Sequence, residues 1–227
     1  MTETVITVQG RYSARHTPER AVVSFAVSFD GPARDTVFSK ANAAAETLRG
    51  EIERLHHADA GPVREWSSDS VQVWGDRPWN NEGKQLAMVF HARIGFTAEF
   101  EDFDALSRFL EQQGTAEGVT ISWVEWKLTD ERRDTVTDEA RTVAVGNAVA
   151  KATSYANAVG LSTVRAVAIA DPGMLGDQVG ASGGGIEFAA SAPRMMKAMD
   201  AGGGPELNLK PQQIEVAVIV DARFVAS

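Results

Sequence analysis

His56 and His57, followed by Asp59, are the first residues whose types could do chemistry, because imidazole and carboxylate are common ligands of divalent metals. Adjacent side chains on a helix point in different directions, and no third ligand is near in sequence. They read better as solvated residues at a helix C-terminus, where the dipole favours a positive charge. His16 and His91 are isolated and read as structural. The glycine clusters within residues 180–185 and 202–204 suggest a phosphate cradle. A P-loop needs G-x-x-x-x-G-K-[ST] between a strand and a helix, and neither cluster has the Lys-Ser/Thr ending. Both read as flexible loop. Ser67, Ser68 and Ser70 have no histidine or acid in a nucleophile arrangement. The pairs Glu99/Glu101 and Asp102/Asp104 read as a solvated strand end and a helix start. The expectation is therefore no catalytic residue, no cofactor and no metal.

Two groups remain. Trp66, Trp74 and Trp79 flank one hairpin, and Trp123 and Trp126 fall on one segment. Together they could line a pocket for a small molecule such as a sugar, or for a peptide. The plainer reading is that they fill the core or an oligomer interface, where aromatic side chains are enriched. Met195, Met196 and Met199 sit within one helical turn between two glycine-rich stretches. Methionine contacts are soft and adaptable. The segment reads first as a helix docked into its own fold, and otherwise as an arm gripping a neighbouring subunit.

Composition narrows the classes further. The 227 residues include 22 Lys plus Arg against 31 Asp plus Glu, a net charge of −9, and no cysteine. Disulfides, thiolate metal sites and cysteine nucleophiles are excluded. An acidic chain lacks the basic field that nucleic acid and anionic membranes attract. No apolar run approaches the roughly 20 residues of a membrane span. The N-terminus shows no basic region, apolar stretch and cleavage site of a signal peptide, so a cytoplasmic location is expected, or export if a leader was removed.

The elements that must position these residues follow from period. Residues 5–12 form a short β-branched strand, and residues 21–30 alternate as a half-buried one. Val37, Ala41, Ala44, Ala45, Leu48, Ile52 and Leu55 make one face of a helix. Residues 63–74 read as one polar strand. Residues 86–100 form the clearest strand, with Leu86, Met88 and Phe90 beginning its apolar face and Gly95 a place for a bulge. Asp102 opens a short helix with Phe103, Leu106, Phe109 and Leu110 inward and Gly114 as its stop. Residues 119–128 are a strand. Thr129 caps a long helix ending at Gly160, whose stripe is Val136, Ala140, Val143, Ala144, Ala148, Ala152, Tyr155, Ala156 and Val159. Residues 164–170 and 214–224 are strands, separated by an aperiodic stretch at 172–210. The order β-β-α-β-β-α-β-α-β-loop-β predicts an α+β fold, with helices packed on largely antiparallel sheet.

Several stretches resemble the SIMPL domain family. They are Ile6-Thr7-Val8-Gln9-Gly10, then Pro18-Glu19-Arg20-Ala21 leading into an alternating strand, and the helix at Asn42-Ala43-Ala44-Ala45. The run from Ala148 through Lys151-Ala152 and Tyr155-Ala156 to Gly160-Leu161, and the final strand after a gap, complete the likeness. The resemblance implies one α+β domain over residues 1–227, with a Gly/Met-rich insertion at about 172–210. It implies a mostly bacterial family, named for a mammalian adaptor of an innate-signalling kinase. Many of its members are exported, some form hollow ring-like oligomers, and none has established catalytic residues. The expected function is non-enzymatic, through self-association or a protein partner. The alternative is a small-molecule binding module or cryptic enzyme using the tryptophans.

Overall fold

A computed structural model describes residues 3–57, 60–176 and 209–227. The elements are β1 (Thr4–His16), β2 (Arg20–Gly31), α1 (Arg34–Leu55), β3 (Val63–Ser68), β4 (Gln72–Asp76) and β5 (Val89–Phe100). They continue with α2 (Phe103–Gly114), β6 (Val119–Lys127), α3 (Asp130–Ala158), β7 (Val164–Ala170) and β8 (Ile214–Ala226). The class is α+β and the order matches the expected one, with the expected strand at 63–74 divided into β3 and β4. The chain divides into two compact units: β1, α3, β7 and β8 form one, and β2 to β6 with α1 and α2 form the other.

In the first unit, β8 lies between β1 and β7, antiparallel to both. The helix α3 is rich in alanine, which has the highest helix propensity. Thr129 caps it by accepting a hydrogen bond from the Arg132 amide at 3.3 Å. Ala140, Ala144, Ala148, Ala152 and Ala156 recur every fourth residue and are fully buried. Of these, Ala144, Ala148, Ala152 and Ala156 pack on Ile6, Val8, Val220, Ala222 and Phe224 of the sheet. Small side chains let the backbones approach closely. A Cβ on Gly10 would lie 2.0 Å from the Ala144 carbonyl and 2.9 Å from the Ala148 Cβ. The stripe is narrower than its period predicts, since Val143, Tyr155 and Val159 face outward at 40%, 51% and 65% exposure.

In the second unit the strand order is β3-β5-β2-β6, with β4 also paired to β5. The alternation of β2 and β5 puts Ala21, Val23, Phe25 and Val27 beside Phe100, Ala98, Phe96 and Ile94 on one face. Ala45, Leu48 and Ile52 of α1 and Leu106, Phe109 and Leu110 of α2 complete that core. Phe109 meets Phe25 edge-on at 5.5 Å and Phe100 at 5.5 Å. Asp102 caps α2, its carboxylate accepting from the amides of Asp104 and Ala105, both at 2.9 Å.

Several details differ from the expectations. The segment 63–74 is two strands, because the chain leaves the ladder at residues 69–71. Gly95 is not a bulge: it pairs in register with Ala26. The bulges fall elsewhere, with Arg64 the extra residue against β5 and Ser122 the extra residue against β2. Leu86 and Met88 precede β5 and are 44% and 37% exposed, while Phe90 is half-buried. Gly114 ends α2 without a left-handed backbone, since Thr115 follows in a right-handed helical conformation.

Candidate functional site

The face of the second unit's sheet turned away from α1 and α2 carries its polar residues. Alternation along β5 sends His91, Arg93, Gly95, Thr97 and Glu99 to this side, opposite the core set. Register then brings Asp30 of β2 and Trp74 of β4 to either side of His91. It likewise brings Ser28 and Gln72 to either side of Arg93.

His91 is held from both ring nitrogens. Its Nδ1 lies 2.6 Å from Asp30 and its Nε2 3.3 Å from Asp76. As an imidazolium it donates to both carboxylates. The indole of Trp74 stacks on the ring at 5.2 Å between centroids, with the planes 19° apart. The Asp30 hydrogen bond chiefly, and then the Asp76 one, hold the His91 pKa above its ordinary 6.5, against the opposing cost of partial burial.

Beside this cluster is a cleft of about 270 Å³ lined by Asp69, Ser70, Gln72, Arg93 and Gly95. Its shape depends on the break between β3 and β4. There the Asp69 amide donates to the Gly95 carbonyl at 2.8 Å, so the interrupted chain stays bonded alongside β5. The Asp69 carboxylate rests over Gly95, and a Cβ at Gly95 would come within 2.3 Å of its Oδ2. Among the described residues, neither the Asp69 carboxylate nor the Arg93 guanidinium makes an ion pair. Farther along the same sheet, charges are paired. Arg20 reaches Glu99 at 3.4 Å and Glu101 at 2.9 Å, and Arg64 reaches Glu101 at 2.6 Å. The Arg64 hydrogen bond holds the Glu101 carboxyl below its usual range. Glu99 and Glu101 are thus clamped by arginines rather than merely solvated.

The tryptophans are dispersed. Trp66 is half-buried against the core, opposite Ala98. Trp126 is half-buried, edge-on to Phe103 at 4.9 Å. Trp74, Trp79 and Trp123 are 46%, 67% and 56% exposed. Trp74 alone meets a histidine, and the Asp69–Arg93 cleft has no tryptophan in its lining. Met195, Met196, Met199 and both glycine clusters lie outside the described residues. The sequence is expected to lack G-x-S-x-G, yet residues 180–184 read Gly-Ala-Ser-Gly-Gly, and they too lie outside the described residues. His56 follows α1 as its C-cap, and Asp59 is not among the described residues. Among the described residues no group of three His, Asp or Glu is placed to hold a metal ion.

Sequence reasoning missed Asp30, Asp69, Asp76 and Arg93. The alternation of β5 already puts Arg93 on the face of His91, but their partners come from strands whose register the sequence does not state.

A family model, SIMPL, described as a protein of unknown function (DUF541), matches residues 6–224. No curated protein matches the chain. No helix among the described residues is long and apolar enough to cross a membrane.

Proposed function

The chain belongs to the SIMPL family, and from that premise we propose a non-enzymatic bacterial protein of the cytoplasm that acts by self-association or by binding a protein partner. The observation that carries this reading is Trp123. It lies on β6, an edge strand of its sheet, on the face away from α1 and α2, and is 56% exposed. A large aromatic side chain left in water on a strand edge is the kind of residue that anchors interfaces. The resemblance to a family with ring-like oligomers supports self-association in particular.

Sedimentation velocity at micromolar concentration tests it. The expected result is a species heavier than one chain, shifted toward the monomer by Trp123→Asp without loss of folded signal. A clean monomer for the unaltered protein removes self-association. A second reading, a small-molecule binding module, draws on the stack of Trp74 on His91 and the cleft beside it.

A further inference from the structure

We infer that the cleft between Asp69 and Arg93 is a binding site for a free α-amino acid, with Arg93 receiving the carboxylate and Asp69 the ammonium. Both side chains line one cleft, carry opposite charge, and are joined to no ionic partner among the described residues. A guanidinium matches a carboxylate in two parallel hydrogen bonds, and an aspartate accepts from an ammonium. A zwitterion satisfies both at once, whereas an anion or a cation alone leaves one charge unmet and sits beside a like charge. Ser70 and Gln72 supply further donors and acceptors at the same wall.

The cleft's size sets the ligand class. Its volume, about 270 Å³, is just below the roughly 300–1,000 Å³ of drug-sized ligand sites, which suits a smaller ligand. Gly95 is the floor, and only a residue without Cβ lets the Asp69 carboxylate lie where it does. Trp74 lies two residues along β4 from Gln72 on the same face, so an exposed indole flanks the cleft. It offers apolar surface to the ligand's side chain. The charges nearest the site are otherwise engaged: Asp30 and Asp76 both hold His91. This site is distinct from the Trp123 surface, and its test does not depend on the oligomeric state.

Isothermal titration of the full chain with glycine and L-alanine, in a buffer free of zwitterions, tests the assignment. Acetate and methylammonium serve as the two half-ligands. The amino acids should bind, and each half-ligand should bind at least about tenfold more weakly. Arg93→Gln, which removes the guanidinium, and the isosteric Asp69→Asn, both on the surface, should each weaken L-alanine by at least about tenfold with the unfolding temperature unchanged. Gly95→Ala should weaken it too, by displacing the Asp69 carboxylate without removing any group that touches ligand. Three results overturn the proposal: no heat with any of the standard amino acids, acetate binding as tightly as L-alanine, or unchanged affinity in Asp69→Asn.

Discussion

With Asp30 on one ring nitrogen and Asp76 on the other, His91 favours its protonated form, and this makes the second unit's stability depend on pH. The groups facing the ring are Asp30 from β2, Asp76 and Trp74 from β4, and Arg93 two residues along β5. Its folded pKa is raised, so the stabilisation is fully present below the ordinary 6.5 and is lost as pH rises through the higher folded value. The carboxylates are largely exposed, which keeps the effect small. A proton NMR titration of the His91 ring should give a pKa above 6.5. Asp30→Asn should lower it more than Asp76→Asn, because the Asp30 contact is the shorter. A His91 pKa at or below the ordinary value would show that the carboxylates turn away in solution.

At the scale of elements, β5 lies between β2 and the β3/β4 pair, so its inward residues carry much of the second unit's core. Phe100 is fully buried, and Phe100→Ala should cost about 3–5 kcal/mol in urea unfolding. Phe90 stands at the start of the strand and is half-buried, so Phe90→Ala should cost less than about 2 kcal/mol. Equal costs would mean that the strand's core begins earlier than the register indicates. In the first unit the decisive contact is between β1 and α3. Gly10→Ala must push the helix off the strand or distort both, because the added methyl meets a backbone carbonyl. A loss of about 1–3 kcal/mol is expected, the usual range for overpacking. A neutral Gly10→Ala would contradict the close approach of the alanine stripe.

For the whole molecule, two parts of the sequence compete to explain any self-association: Trp123 on β6 and the segment holding Met195, Met196 and Met199. The Trp123→Asp variant and a deletion of residues 181–204 separate them by sedimentation. Loss of the heavier species in Trp123→Asp alone assigns the contact to β6. Loss in the deletion alone assigns it to the methionine segment. The deletion is expected to remain folded, because β7 and β8 pair from Val164↔Ala226 to Ala170↔Asp221 without those residues.

The sequence by itself determined the elements and which side of each is apolar. Period two in β2 and β5 and period near four in α1 and α3 are properties of neighbouring residues, so they were legible without a fold. The caps at Asp102 and Thr129 were legible for the same reason. The family could also be read from short stretches kept in order. Tertiary structure alone decided what faces what. Nothing local says that residues 69–71 leave the ladder, that Gly95 serves as a floor for Asp69, or that β4 sets Asp76 and Trp74 against His91. The predicted extra width of the α3 stripe has the same origin, since Val143, Tyr155 and Val159 suit a buried face by period but are exposed among the described residues. Pairing between strands distant in sequence is set by register and by the close approach of backbones. The candidate site, made of residues from three strands and one turn, exists only once that register is fixed.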